Sequence, residues 1–118
     1  MARVTRLKRV YDAAEADDGW RVLVDRLWPR GVSRERAALD AWAKDVAPSP
    51  ELRTAWHRDP ARFEEFAQRY RDELDANPAL DELRAALAEH AVVTLVYGAR
   101  DPEHNHAVVL RDHLEEHP

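Results

Sequence analysis

Residues 92–97 read Val-Val-Thr-Leu-Val-Tyr, an almost unbroken run of apolar side chains. A strand with one face in water alternates apolar and polar residues, whereas a continuous apolar run is typical of a strand buried on both faces of a parallel sheet. Parallel strands need long crossover connections, usually helices, which then cover the faces of the sheet. This one segment therefore favours an α/β fold over an all-α or an all-β fold.

Two further segments predict strands. Residues 20–28, Trp-Arg-Val-Leu-Val-Asp-Arg-Leu-Trp, have a β-branched apolar centre and predict an interior strand that Pro29 and Gly31 end. Residues 3–10 alternate imperfectly and carry four positive charges, which favours an edge strand. We expect residues 20–28 and 92–97 to lie side by side and parallel, with their carboxyl ends at one edge of the sheet.

Helical patterns fill the intervals between these strands. Ser33 and Ser49-Pro50 predict helix starts, and Asp59-Pro60 predicts the start of a four-turn helix that Asn77-Pro78 ends. The predicted helices cover residues 33–39, 50 to about 56, 60–76, 80 to about 90, and a final one after residue 103, while 40–46 is ambiguous between helix and irregular structure. The chain should form one Rossmann-like domain over residues 1–118, with a small, mostly parallel sheet and helical crossovers.

Composition narrows the function classes. The chain has no cysteine, which excludes a disulfide framework, a thiolate nucleophile and a cysteine-ligated metal centre. Its net charge of −5 disfavours non-specific binding to nucleic acid, although residues 1–36 carry nine Lys/Arg against six Asp/Glu. The amino terminus has no apolar leader and no run approaches the roughly 20 residues of a membrane span. We expect a soluble cytoplasmic protein without membrane contact; the sequence indicates neither a cofactor nor an oligomeric state.

The first candidate site segment is Asp25-Arg26-Leu27-Trp28-Pro29-Arg30-Gly31. Open parallel sheets bind ligands beyond the carboxyl ends of their strands, and this segment spans the carboxyl end and the exit of a predicted strand. Arg26 and Arg30 flank an aromatic ring, and the planar guanidinium fits carboxylate or phosphate oxygens bidentately. Gly31 permits a positive φ angle. The alternative is that both arginines pair with Asp25 or other acidic residues while the tryptophan fills the core.

The second candidate segment runs from Tyr97 to His106 and contains Arg100. Backbone amides at the start of the last helix favour an anion there, and Asn105 could help to orient it. Alternatively Asn105 or Asp101 serves only as the helix cap. His104 and His106 could be an acid–base pair, but residues two apart on a helix face different directions, so we expect one of them to face the site and the other to be solvated.

Histidines and tryptophans are two further residue types that can form sites. His113 and His117 lie four residues apart, as in many metal-ligand pairs, but they stand at the chain end without an accompanying glutamate, and we predict no metal site. The four tryptophans at positions 20, 28, 42 and 56 are not interleaved with basic residues, so they favour a core role over a stacking platform for nucleic acid.

These segments carry a family resemblance. The chain resembles the YeaO-like branch of the domain-of-unknown-function family numbered 488, most specifically in Leu27-Trp28-Pro29-Arg30-Gly31. The resemblance extends through residues 9–12, 21–31, 42–49, 52–53, 57–60, 93–97 and 105–107. It implies an α/β fold and a shared pocket in which Arg26, Arg30, Lys44 and Tyr97 would take part. Other branches have a cysteine-histidine-arginine sequence where this chain has Asn105-His106-Ala107, so the resemblance does not imply thiol chemistry here.

The leading hypothesis is a pocket for a small phosphorylated or nucleotide-like anion, in a binding protein or a non-covalent enzyme. The predicted ligand-binding residues are Arg26, Arg30, Lys44, Asn105, Tyr11 and Arg100, and the predicted proton-transfer residues are His106 and Tyr97. The alternative is a non-catalytic regulatory module whose acidic helices, from residue 59 to 90, bind a partner protein. A partner-binding module should expose a contiguous apolar patch, whereas a catalyst should place a titratable group beside the arginines.

Overall fold

The computed structural model describes residues 3–116. Four parallel strands form one sheet in the order β1-β4-β2-β3. The strands are β1 (Val4–Arg9), β2 (Trp20–Leu23), β3 (Ala41–Trp42) and β4 (Val92–Tyr97). The last strand lies between the first two, and it pairs with β2 over Trp20–Leu23, as the apolar patterns predicted. The chain is thus an α/β protein with a parallel sheet.

The second strand ends earlier than its sequence pattern indicates. The prediction placed its end at Trp28, whereas β2 ends at Leu23 and only the amide of Val24 still donates to β4, to the carbonyl of Val96 at 3.0 Å. The carbonyl of Asp25, one residue further along the chain, accepts from the indole Nε1 of Trp42 at 2.7 Å and not from a neighbouring strand. Side-chain bonds therefore replace the ladder from Asp25 onward, and the segment 25–30 leaves the sheet at its carboxyl edge.

Five α-helices connect and cover the strands. They are α1 (Arg34–Ala37), α2 (Pro50–Arg58), α3 (Phe63–Asp75), α4 (Pro78–Leu87) and α5 (His106–Glu116). Ser33 and Ser49 cap α1 and α2 as predicted. The predicted helix start at Asp59-Pro60 is wrong. Asp59 instead ends α2, since its amide donates to the carbonyl of Trp56, and α3 begins at Phe63. No helix within residues 3–116 has the length and apolarity to cross a lipid bilayer.

The core lies on both faces of the sheet. Val22 and Leu95 belong to the larger cluster, which contains buried residues of all four helices from α2 to α5. Leu23 and Val96 belong to a smaller cluster with Val10, on the face that α1 covers. Successive residues of β2 and β4 thus point to opposite faces and are buried on both, which is why their sequences show no polar alternation.

Candidate functional site

A cavity of about 440 Å³ opens beyond the carboxyl ends of β2 and β4. This volume falls in the range of roughly 300–1,000 Å³ typical of small-molecule sites. The cavity is lined by Tyr11, residues 25–30, Ala47, Pro48, Arg53, Trp56, His57, Phe66, Gly98, Ala99 and His106. Both segments that the sequence singled out therefore contribute to one concave site, together with α2 and α3.

Arg26 and Arg30 line the cavity, as expected from their position at the carboxyl end of a predicted strand. Nη2 of Arg26 donates to the carbonyl oxygens of Ala47 and Pro48 at 3.2 and 3.4 Å, while its Nε is buried with no hydrogen-bond partner. Arg30 is exposed. Within residues 3–116 neither arginine forms an ion pair, so the alternative that they are neutralised by Asp25 is not what the structure shows.

Asp25 is the carboxylate of the cavity. Its Oδ2 accepts from the amide of Gly98 at 2.9 Å, so this glycine approaches a side chain of the protein itself. Oδ1 of Asp25 is buried without a hydrogen-bond partner, although it lies 3.2 Å from Nε2 of His106. That nitrogen lies 3.0 Å from the carbonyl oxygen of Val24. A carbonyl only accepts, so Nε2 of His106 carries a proton and donates it to Val24.

Tyr11 lies at the cavity and supports Arg30. Its hydroxyl donates to the backbone carbonyl of Arg30 at 3.1 Å, and the guanidinium of Arg9 lies 5.1 Å from its ring centre. Arg9 in turn donates to the carbonyl of Ala99 at 2.8 Å. The segment that carries Arg30 and the segment that follows β4 are therefore both tied to the end of β1.

Arg53 and His57 line the same cavity and were not predicted as site residues. They lie four residues apart on α2, so they share one face of the helix, and both are exposed. The sequence does carry this spacing, after the helix start at Ser49-Pro50. Only the packing of α2 across the end of the sheet turns that face toward Arg26, and this packing could not be read from local sequence.

Asn105 does not line the cavity, which corrects one expected position. It is fully buried, its Oδ1 accepts from the amide of Val108 at 3.0 Å, and its Nδ2 donates to the carbonyl of Asp101 at 2.7 Å. It is therefore the N-cap of α5, the alternative that the sequence left open. Both hydrogen-bonding groups of its amide are occupied by backbone, which leaves it poorly placed to hold a ligand.

Three other predicted site residues also lie outside the cavity lining. Lys44 is exposed and its Nζ lies 5.5 Å from the ring centre of Trp42. Arg100 is exposed in the loop after β4, beyond the residues that face the cavity. Tyr97 is buried, and burial raises the pKa of its phenol. The side chains of a strand alternate between faces, which buries Tyr97 in the core although it ends the strand.

The histidines and tryptophans considered in the sequence differ in whether they line the cavity and in how exposed they are. His106 lines the cavity, whereas His104 is exposed and its Nδ1 lies 3.1 Å from Asp101. Nε2 of the buried His113 lies 3.1 Å from Oδ1 of Asp75, and His117 lies outside the described residues. Trp42 is 38% exposed, so the expectation of a core role is wrong for this tryptophan.

A family model matches residues 4–118, and its description is "Inactive DUF488-N3 subclade". The chain belongs to this family. An uncharacterized protein of Mycobacterium tuberculosis strain H37Rv is 49% identical over 112 residues, which cover 93% of this chain and 94% of the relative. The uncharacterized protein YeaO of Escherichia coli K12 is 45% identical over 107 residues, which cover 91% and 93%. No solved structure matches the chain.

Proposed function

We propose that this protein binds a small phosphate-bearing organic anion in the cavity at the carboxyl edge of its sheet, without covalent catalysis. The observation that carries the proposal is the charge of the lining. Three guanidiniums, of Arg26, Arg30 and Arg53, line the cavity and form no ion pair with any carboxylate of residues 3–116. In a chain of net charge −5, such a concentration of unpaired positive charge favours an anionic ligand.

The state of Arg26 strengthens this argument. A buried donor without a hydrogen-bond partner costs free energy, typically about 1–3 kcal/mol and more for a charged group. Nε of Arg26 is such a donor, because the two carbonyl bonds of this side chain come from Nη2. A phosphate oxygen would accept from a guanidinium in a charge-assisted bond, the strongest hydrogen bond available to it. Arg30 and Arg53 are exposed and can turn toward the same anion.

The chemistry of the lining supports binding better than turnover. The chain has no cysteine to act as a nucleophile. Burial raises the pKa of Tyr97, which keeps its phenol protonated, and this side chain is not among the cavity-lining residues. His106 remains the one predicted proton-transfer residue in the lining, and its Nε2 proton is already donated to Val24. The word "inactive" in the subclade's description agrees with a binding function.

The exposed surface supports the partner-protein alternative less well than the anion site. The large hydrophobic residues that the described structure exposes are Val4, Leu27 and Trp42. None of these lies on the acidic helices α3 and α4, whose large apolar side chains belong to the core or pack against it. The apolar residues that α4 gives to an open groove beside Trp42 are Ala79, Leu83 and Ala86. An interaction module should present a contiguous apolar patch, so this arrangement favours the small-molecule site.

A thermal-shift titration with phosphate, sulfate and a panel of phosphorylated metabolites tests the anion site. A ligand that binds only the native state raises the melting temperature by mass action. Arg30→Ala should remove the shift or weaken the affinity at least tenfold, because a charge-assisted contact contributes about 1.5–3 kcal/mol. His106→Ala should weaken binding less.

Arg100→Ala is the matched control, because Arg100 is also exposed and does not line the cavity. It should respond to the panel as the natural protein does. An unshifted natural protein, or equal losses in the Arg30 and Arg100 variants, would reject the anion site.

A further inference from the structure

The cavity that we assign to an anion also contains a carboxylate and several aromatic rings, which inorganic phosphate alone would not use. We propose, on the basis of the anion site above, that the ligand carries a planar heteroaromatic ring with an N–H group. Asp25 and Trp56 recognise the ring while the arginines hold the phosphate. The proposal thus names the ligand class as nucleotide-like rather than as a simple phosphate.

Aromatic side chains from separate elements line the cavity. Trp28 comes from the segment after β2, Trp56 from α2 and Phe66 from α3. Trp56 and Phe66 are stacked, with ring centres 4.3 Å apart and planes 20° apart, which fixes the orientation of the indole. Trp28 is held by a bond from its Nε1 to the carbonyl of Val32 at 2.7 Å. The fixed ring of Trp28 provides a flat surface for a planar ring, a mode of recognition that tolerates different bases, while Trp56 takes part through its Nε1–H rather than through its face.

Two unpaired polar atoms in the lining residues specify the edge of that ring. Nε1 of Trp56 is a buried donor without a hydrogen-bond partner within residues 3–116. Oδ1 of Asp25 is a buried acceptor whose neighbour, Nε2 of His106 at 3.2 Å, donates its proton to the carbonyl of Val24 instead. Buried polar groups normally have partners, so each of these atoms is explained by a group that a ligand supplies. A ring edge with an N–H beside a carbonyl, as in an imide or a cyclic amide, offers one partner to each atom.

The position of Asp25 decides which part of the ligand it meets. A carboxylate repels a phosphate, so the anionic group should lie toward Arg26, Arg30 and Arg53 rather than toward Asp25. The neutral, N–H-bearing part of the ligand then faces Asp25. The cavity has room for both parts, since its volume of about 440 Å³ lies within the range of organic ligand sites.

Isothermal titration calorimetry on the full chain with four kinds of probe tests this inference. The probes are inorganic phosphate, ribose 5-phosphate, the monophosphates of uridine and guanosine, and the same two nucleotides methylated on the ring N–H. At least one of the two unmethylated nucleotides should bind at least tenfold more tightly than ribose 5-phosphate, and methylation should remove most of that gain. If neither nucleotide exceeds ribose 5-phosphate, the ring is rejected while the anion site stands. If no probe binds, both proposals fail.

Substitution of Asp25 separates recognition from structure. Asp25→Asn keeps an oxygen for the amide of Gly98 but replaces the free acceptor by an amide donor. It should remove the preference for the unmethylated nucleotides and leave binding of inorganic phosphate equal or tighter, because a negative charge is lost. Asp17→Asn, at an exposed position, is the control and should change neither. A variant that loses affinity for all probes equally would indicate a structural role for Asp25 and overturn the inference.

Trp56→Phe provides an independent measurement, because it keeps an aromatic ring and removes the Nε1 donor. It should weaken binding of the nucleotides several-fold and leave inorganic phosphate unaffected. Trp20→Phe is its control, since Trp20 lies away from the cavity and stacks on His90 with ring centres 4.8 Å apart. Nucleotide affinity that is unchanged in Trp56→Phe would overturn the role of the indole.

Discussion

Oδ2 of Asp18 lies 2.6 Å from Nη1 of Arg21, and both residues are buried, with 3% and 4% of their surface exposed. The other nitrogens of Arg21 donate to the carbonyls of Ala37 and Ala38 at the end of α1. Lys8 of β1 also reaches Asp18, at 3.0 Å. One buried carboxylate and one guanidinium therefore tie β1, β2 and α1 together on the face of the sheet opposite to the four long helices.

Arg21→Ala should lower the free energy of unfolding by about 1–3 kcal/mol, because it leaves the buried carbonyls of Ala37 and Ala38 without this donor and removes one of the donors to Asp18. Urea denaturation monitored by circular dichroism measures the change. Arg58→Ala is the control: Arg58 is exposed near the end of α2, and its loss should change the stability by no more than about 0.5 kcal/mol. Equal effects of the two substitutions would show that the buried network adds no stability.

The same network should make the protein sensitive to acid. Burial alone would raise the pKa of Asp18, but hydrogen bonds from the Glu15 amide, Lys8 and Arg21 outweigh it and hold the pKa below its usual 3.8. A carboxyl whose pKa is lowered by folding stabilises the native state above its unfolded pKa. That contribution is lost as the pH falls from about 4 through the lowered native value. Urea midpoints measured between about pH 3 and pH 7 should fall on the acid side. Asp18→Asn should flatten that fall; an unchanged slope would assign the acid sensitivity to other carboxyls.

Asn105→Ala should destabilise the protein by about 0.5–2 kcal/mol, since it removes the N-cap of α5 and the bond to Asp101. Asn105→Ser, which retains a capping oxygen, should recover part of that loss in thermal denaturation. Anion affinity, measured well below the melting temperature, should be the same in both variants, because Asn105 does not line the cavity. A selective loss of anion binding with normal stability would instead restore Asn105 as a ligand-binding residue.

A strand with a strong apolar pattern could be predicted from the sequence. A very short strand, and the end of a strand that a side-chain hydrogen bond determines, could not. Residues 92–97 form β4 with the predicted limits because burial on both faces requires an unbroken apolar run. β3 contains only Ala41 and Trp42, too few residues for any periodicity to appear. The end of β2 depends on Asp25, whose carbonyl bonds the distant Trp42. Such a contact is not encoded in the local pattern.

Some residues of the candidate site could likewise be predicted from the sequence, and others could not. Arg26 and Arg30 could be placed in advance, because residues at the carboxyl end of an interior parallel strand and just beyond it lie at the ligand-binding edge. Arg53 and His57 could not, because their position depends on how α2 packs across that edge. From the sequence alone, Asn105 could be either a helix cap or a ligand contact. Its hydrogen bonds to the backbone of Val108 and Asp101 distinguish these two roles.

The strand order β1-β4-β2-β3 has a consequence for synthesis on the ribosome. β1 is an edge strand and pairs with β4, which is the last strand to be translated. A nascent chain that ends before residue 92 therefore contains β1 and β2 without the strand that joins them, and its apolar residues in this region have no sheet to cover. Joining of β1 and β2 in one sheet, and the contribution of His106 to the cavity, therefore require translation at least through residue 106.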